Sequence, residues 1–167
     1  MKIIDPRFLR YSRYYFLQAF LAAGTMLVIL IFVDSLADAA LVAALGGSVL
    51  IVFVHPNSHA AKPRSLVGGH FLAMLIGSLT ALVLFAMPVQ ASLGNARVLF
   101  DLGLAGSLGL LILVMAITDT EHPPAAGTVL GVASQPLDFK TVVIIISAVL
   151  LLFALQWFLK PYLQDLT

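Results

Sequence analysis

The sequence contains no cysteine, one tryptophan and very little charge. Without cysteine the chain cannot form a disulfide, a thiolate nucleophile or a Cys-based metal site. Charged residues make up 10% of the chain, whereas an ordinary soluble domain has about a quarter. The nine basic residues are too few and too scattered to form the basic face that nucleic acid requires. We therefore expect no nucleic-acid partner.

Hydrophobic residues make up 61% of the chain, and its mean hydropathy is +1.07. A soluble domain of about 150 residues still exposes roughly a third of the surface of its unfolded chain, so water is a poor solvent for this composition. Lipid resolves the imbalance. The composition predicts an integral membrane protein whose main partner is the bilayer.

Continuous apolar runs of about 20 residues are long enough to cross a hydrocarbon core of about 30 Å as helices. Continuous runs favour helices over the alternating pattern of a barrel. The first run has a basic flank like that of a signal peptide but exceeds the usual h-region of about 7–15 residues, so we expect a retained helix. The sequence predicts an all-α protein with about five transmembrane helices in a single domain: 14–33, 36–54, 71–89, 98–118 and 141–158.

Lysine and arginine are distributed unevenly over the predicted loops. Five spans place seven of them on the side of the N-terminus and only Arg97 and Lys160 on the other side. The positive-inside rule then puts the N-terminus in the cytoplasm and the C-terminus outside, in a bacterial-type plasma (inner) membrane.

Small residues recur every four positions, as in Ala39, Ala43 and Gly47. Such rows let helix backbones approach closely, and they serve either plain packing or the walls of a narrow pathway. Since five helices in one small subunit leave little room for a pathway and its walls, we expect a homo-oligomer.

Two polar segments, 55–70 and 119–136, contain all four histidines. Residues 125–133 are apolar but too short to span, which predicts a re-entrant or half-helix opened by Pro123 and Pro124. Pro63 is expected to open another helix. The order span, His-Pro, span occurs twice, at His55 and at His122. This predicts a parallel two-fold internal repeat, with broken helices at the binding site.

The charge near these breaks favours an anion. Half-helix N-termini carry partial positive charge, and Lys62 and Arg64 add to it. The alternative is that Asp119 and Glu121 neutralise Lys62 and Arg64 across the two segments. No catalytic set is recognisable, so we expect no enzyme and no cofactor.

A metal site is not expected either. His55 and His59 have i, i+4 spacing, but prolines at 56 and 63 interrupt the helix, and no H-E-x-x-H sequence occurs.

At these segments the sequence resembles the HPP family of integral membrane proteins, named for the tripeptide His122-Pro123-Pro124. The run Gly47-Ser48-Val49 and the block from Pro63 to His70 look like the second signature of the family. Lys62 and Ser65 stand where the family commonly has Gln and Asn. Plant chloroplast and cyanobacterial members are associated with nitrite transport, so the resemblance implies a path for a small inorganic anion.

We therefore expect a small-anion transporter or channel, with nitrite as the leading substrate. The alternative is a membrane scaffold or sensor subunit in which both motifs are structural. Arg64, His70 and His122 are the expected central groups, and Lys62 and Ser65 accessory ligands. Close backbone or hydroxyl contacts are expected from Gly68, Gly69, Gly127 and Thr128.

Overall fold

A computed structural model describes residues 6–33, 39–86 and 96–166. Within these ranges the chain forms six α-helices, two short 3-10 helices and no strands, as the all-α prediction requires. The α-helices are α1 (Pro6–Phe32), α2 (Ala39–Val54), α3 (Pro63–Leu84), α4 (Ala96–Thr118), α5 (Ala125–Ala133) and α6 (Phe139–Leu159), and the 3-10 helices are His59–Ala61 and Lys160–Tyr162.

Four helices are long and apolar enough to cross a membrane, and they match the predicted first, third, fourth and fifth spans. They are Arg10–Ile31, Pro63–Leu84, Arg97–Thr118 and Phe139–Tyr162. The predicted span 36–54 corresponds to α2, an apolar helix of 16 residues and about 24 Å. Residues 36–38 and 87–89 of the predicted spans lie outside the described residues. The structure thus supports four spans, and the count of five stays a prediction.

Both predicted helix openings are found. Pro63 occupies the first turn of α3, which continues unbroken to Leu84. The predicted half-helix is α5, nine residues long and so about 14 Å. It is entered by a turn in which the Ala125 amide donates to the His122 carbonyl at 2.9 Å and the Ala126 amide to the Pro123 carbonyl at 3.1 Å. The first amides of α5 are therefore already bonded to protein carbonyls.

The two His-Pro breaks lie at one end of the helix bundle, here called the His-Pro end. Gly68 and Gly69 of α3 approach Thr120 and His122 there, and the opposite end, here called the far end, joins α3 to α4 where Leu84 meets Gly103.

The last described residues also lie at the His-Pro end, whereas the sequence interpretation placed the two termini on opposite sides of the membrane. Gln156 of α6 donates to the Ala61 carbonyl at 2.6 Å. The Leu166 amide donates to the Val54 carbonyl at 3.1 Å, and Tyr15 of α1 donates to the Leu166 carbonyl. Both ends of the described chain therefore meet at the same end of the bundle.

The physical reason is the path of α5, which the sequence interpretation treated as returning to its starting side. This helix runs alongside α3 in the same direction, because Gly69 meets His122 and Gly77 meets Val132 farther along. Together with residues 134–138, α5 carries the chain to the far end, where α6 begins. Lys140 therefore lies at the far end and Lys160 at the His-Pro end, and the predicted excess of basic residues on one side is unchanged. The internal repeat stays a prediction.

Candidate functional site

Two of the four histidines, His70 and His122, meet in the interior. His70 comes from the second turn of α3 and His122 from the break before α5. Their ring centroids are 5.0 Å apart with the planes at 57°, and neither residue has any exposed surface. The structure thus brings together two of the three groups that the sequence predicted to be central.

A buried serine joins the two rings. The Ser48 hydroxyl lies 2.8 Å from Nε2 of His70 and 2.9 Å from Nε2 of His122. It also lies 2.9 Å from the carbonyl of Ala44, one turn earlier in α2. Ser48 is the one polar residue of α2, and the sequence interpretation did not include it in the site. A polar side chain in the middle of an apolar helix is the signal that would have found it.

The outer nitrogens of both rings also have partners. Nδ1 of His122 lies 2.8 Å from the carbonyl oxygen of Ala60 in the first 3-10 helix. Nδ1 of His70 lies 2.8 Å from the hydroxyl of Thr128 in α5, which is itself buried. All four ring nitrogens are therefore hydrogen-bonded, and the predicted site residue Thr128 lies in the cluster.

Donor and acceptor rules give these bonds one direction when both rings are neutral. A carbonyl oxygen only accepts, so Nδ1 of His122 carries hydrogen and its Nε2 accepts from the Ser48 hydroxyl. Ser48 then accepts from Nε2–H of His70, whose bare Nδ1 accepts from Thr128. We call this series the Ser48 chain: Thr128, His70, Ser48, His122 and the Ala60 carbonyl.

Burial favours the neutral form of His122. Its removal from water lowers the pKa of the His122 imidazole from 6.5 to about 4, against the hydrogen bond to Ala60, which raises it. Desolvation penalises the charged form of a base. His122 is therefore neutral near pH 7, as the Ser48 chain requires.

Glycines in α3 allow the second break to reach this position. A Cβ on Gly69 would lie 2.7 Å from Cβ of His122, and one on Gly68 would lie 2.9 Å from Cγ2 of Thr120. These distances are shorter than any ordinary carbon contact. The Gly-Gly pair, predicted to offer backbone to a ligand, lets residues 120–122 pack directly on α3.

Gly127 has the same role on the other side of α5. Its Cβ position lies 3.0 Å from Cβ of Ala44 and 3.2 Å from the Ala40 carbonyl. α5 therefore packs closely against α2, which brings Thr128 within reach of the cluster. A direct contact of these glycines with an anion stays a prediction.

Arg64, the third predicted central residue, is bonded elsewhere. Its Nη2 donates to the Thr118 carbonyl at 2.7 Å, and Nη1 lies 3.8 Å from Asp119, with 67% of the side chain exposed. Asp119 also lies 3.5 Å from Nε2 of His59. The pairing of charges across the two segments is therefore found at Asp119, while Glu121 is exposed.

Asp119 takes a backbone conformation that is unusual for a residue other than glycine. Its φ is 56°, and the Thr120 amide donates to the Met115 carbonyl at 3.0 Å. This is a Schellman ending of α4, with Asp119 at the left-handed position. Arg64 binds one more carbonyl of the same helix end, that of Thr118. This bond links α3 to α4 at the surface of the His-Pro end, which we call the mouth.

The two predicted accessory ligands differ in environment. Lys62 is exposed at the N-cap of α3 and makes no side-chain capping bond. Ser65 is fully buried, and its hydroxyl has no hydrogen-bond partner among the described residues. Neither contacts the Ser48 chain through a described hydrogen bond. Within the described part of the chain, no group of three or more His, Cys, Asp or Glu side chains could hold a metal ion.

A groove of about 400 Å³ adjoins the second break. It runs between α4 and α5, and it is lined by Leu108, Ile112, Met115, Ala116, Glu121, His122, Pro123 and Ala126. A groove of about 610 Å³ between α1 and α2 is apolar and reaches neither histidine of the pair. The chemistry therefore lies beside the smaller groove.

Comparison with known proteins agrees with the membrane architecture. The family model described as "HPP, transmembrane region" matches residues 9–164. Two proteins of Dictyostelium discoideum, both named as transmembrane proteins, are 31% and 29% identical to this chain over 90 residues, or 54% of its length. The chain covers 28% and 26% of these relatives, so it spans about a quarter of their length. No solved structure matches.

Proposed function

Since the chain belongs to the HPP transmembrane family, we propose that this integral membrane protein carries a small inorganic anion across the bilayer, with nitrite as the leading candidate. The observation that supports it most is the Ser48 chain. Polar groups are costly in an apolar helix bundle and tend to mark ion pathways. Transporters place their binding sites where helices are broken, and His122 lies at such a break.

The charge at the His-Pro end supports an anion over a cation. Arg64 and Lys62 are exposed there, and His59 lies on the same connection. Asp119, Glu121 and Asp165 offset part of the positive charge, and the excess at this end comes from the basic residues of α1 and from Lys160. Arg64 then attracts the anion at the mouth, and the histidine pair meets it farther inside. In this proposal the three predicted central residues form two successive anion sites, Arg64 at the surface and the histidine pair inside.

The excess of lysine and arginine at the His-Pro end implies that this end faces the cytoplasm. We place the protein in a bacterial-type plasma membrane on that basis. Both ends of the described chain then face the cytoplasm.

The protein acts as a homo-oligomer in this proposal. Gly106 and Gly109 of α4 are exposed, and nothing lies within 4 Å of a Cβ built on either. An open row of small residues suits a second helix in lipid, so α4 is the proposed interface. We propose no enzymatic activity.

Flux into proteoliposomes tests the proposal. Purified protein is reconstituted, and uptake of nitrite, nitrate and formate is followed at pH 7.5, with empty vesicles measured in parallel because nitrous acid crosses lipid unaided. We expect nitrite uptake above that of empty vesicles, and a lower rate for Arg64→Gln. Equal uptake in both preparations would exclude transport.

One observation favours a second function, that of a membrane scaffold or sensor subunit. All four nitrogens of the histidine pair have partners, as expected of a cluster that only stabilises packing. In that case Ser48→Ala lowers the thermal stability, and neither the variant nor the unaltered protein transports nitrite. The proteoliposome measurement separates the two functions.

A further inference from the structure

We propose that Ser48 joins His70 and His122 into one proton-binding site, so that the protein moves one proton together with each anion. The inference rests on the proposed anion transport and names its coupling ion. It comes from the hydrogen bonds of Ser48, whose three partners are all satisfied only when both histidine rings present Nε2–H to its oxygen.

The Ser48 hydroxyl has one hydrogen to donate and lies within hydrogen-bond distance of three groups: the Ala44 carbonyl and Nε2 of each histidine. In the unloaded state the hydroxyl donates to Nε2 of His122 and accepts from Nε2–H of His70. The Ala44 carbonyl, 2.9 Å away, then receives nothing from Ser48. This carbonyl is the spare acceptor in the cluster.

When the cluster binds a proton, the Ala44 carbonyl accepts the hydrogen of the Ser48 hydroxyl. A proton from water binds to the lone pair of Nε2 on His122, which becomes an imidazolium and keeps its Nδ1–H bond to Ala60. The Ser48 hydrogen turns to the Ala44 carbonyl, and the Ser48 oxygen then accepts from both Nε2–H groups. Every donor has an acceptor before and after, and only one hydroxyl rotates.

A second proton is not accommodated. His70 already donates from Nε2, so it becomes charged only if Nδ1 also gains hydrogen and the Thr128 hydroxyl turns away. Two imidazolium rings would then lie with centroids 5.0 Å apart in a buried site, where like charges repel strongly. The cluster therefore takes up one proton as a pair.

Among the described residues, no carboxylate is hydrogen-bonded to the histidine pair. α2 and α5 contain no charged residue, and in α3 the charged or titratable residues are Arg64 and His70. At the His-Pro end, His55, His59 and Lys62 add no negative charge, and the carboxylates are Asp119, Glu121 and Asp165, the last bonded to Asn57. The charged residues within α4 and α6, namely Arg97, Asp101 and Lys140, lie near the far end.

Of these carboxylates, Asp119 faces Arg64 and His59, Asp165 binds Asn57, and Glu121 is exposed. The missing negative charge is therefore the anion itself. Binding of the anion favours the proton, and by linkage the proton favours the anion to the same extent. The lowered pKa of His122 agrees with this, because it keeps the site unloaded near neutral pH until an anion arrives.

Ser48 acts as a positioning residue in this scheme, because it touches the anion in neither state. Ser48→Ala removes the hydroxyl that links the rings, and Ser48→Thr retains it. The matched control is Ser107→Ala, which removes a buried α4 hydroxyl that bonds only the Leu104 carbonyl in the described structure, at 2.8 Å.

The test measures nitrite uptake and internal pH in the same proteoliposomes. The vesicles contain a pH-sensitive dye, valinomycin and potassium clamp the membrane potential, and the signal of empty vesicles is subtracted. We expect one proton per nitrite in the unaltered protein and in Ser107→Ala. In Ser48→Ala the rate of proton-linked uptake should be about tenfold lower, because one hydrogen bond to a buried charge is lost. Ser48→Thr should restore much of that rate.

The outcomes distinguish this inference from the proposed function. Nitrite uptake without acidification overturns the coupled proton and leaves transport standing. No uptake above empty vesicles overturns both. Unchanged coupling in folded Ser48→Ala overturns the role of Ser48.

If Ser48→Ala does not fold, histidine-selective ¹⁵N NMR of the unaltered protein with and without nitrite replaces it. One shared protonation that moves to higher pH with nitrite is expected, and two independent protonations overturn the single site.

Discussion

The two His-Pro breaks begin with the same dipeptide and have different environments. His122 is fully buried and bonded to Ser48 and Ala60. His55 is only partly buried, and Asn57, two residues farther along, is exposed. There Asn57 donates to Asp165 from its side chain at 2.8 Å and from its backbone at 3.2 Å. One break enters the interior and the other is joined to the C-terminal segment.

The residues after each dipeptide account for the difference. Pro124, Ala125, Ala126 and Gly127 are small and lack polar side chains, so a half-helix can insert between α2 and α3 at little desolvation cost. Asn57, Ser58 and His59 would leave unsatisfied polar groups there. The 3-10 helix of the first break instead offers its Ala60 carbonyl to His122. The first break is thus a support for the second.

The largest expected effect is that of truncating each histidine in turn. His122→Ala should lower the free energy of unfolding by about 2–5 kcal/mol, because it opens a cavity and removes the ring partner of the buried Ser48 hydroxyl and of the Ala60 carbonyl. His55→Ala should cost below about 1 kcal/mol, as expected for a partly exposed side chain. Thermal unfolding in detergent, followed by circular dichroism, measures both. Equal losses would mean that the two breaks are equivalent.

A smaller effect is expected from pH, and it concerns the second break. The pKa of His122 is about 4 in the folded protein and near 6.5 when unfolded, so between these values the unfolded chain binds a proton that the folded chain does not. Stability should therefore fall by up to about 3 kcal/mol as pH drops from 6.5 to 4. The contribution of His122 to this loss is complete below about pH 4.

The same detergent melts, repeated from pH 7 to pH 4, give this profile. His122→Asn is the comparison, since it removes the titrating group but keeps a polar side chain. A steeper or unchanged slope in His122→Asn would show that the pH dependence originates elsewhere.

The smallest effect is expected from adding a methyl group to the α3 surface on which residues 120–122 pack. Gly69→Ala places a Cβ 2.7 Å from Cβ of His122 and should cost about 1–3 kcal/mol through overpacking. Gly106→Ala, in an open position of α4, should instead stabilise by up to about 1 kcal/mol, because alanine favours a helix. The difference in melting temperature between the two variants is the measurement. Equal behaviour would contradict the close approach of His122 to α3.

Much of the fold follows from local sequence. Apolar runs predict the long helices, and Pro63 and Pro123-Pro124 predict where α3 and α5 begin. The side on which the chain ends could not be predicted in this way. It depends on whether the short helix α5 returns or continues, and that is decided by its packing along Gly77 of α3 and not by its own composition.

The site was predicted in part for a similar reason. His70, His122 and Thr128 carry visible chemistry, and two of them lie in the signature blocks. Ser48 is separated from them by 22 and 74 positions, so only the folded chain shows that its hydroxyl is shared. Gly68, Gly69 and Gly127 were predicted to contact a ligand; the structure shows protein atoms close to them, and contact with an anion stays a prediction. Spacing alone does not identify the approaching atom.

The bond between the Leu166 amide and the Val54 carbonyl, with Tyr15 on the Leu166 carbonyl, has a practical consequence for topology mapping. Because α1 starts and α6 ends on one face of the bundle, the two halves of a split fluorescent protein, fused to the two ends, would reassemble in a single compartment. If the chain crossed the membrane an odd number of times, the two halves would lie in different compartments and would not fluoresce. One image of cells would therefore report whether α5 completes a passage through the membrane.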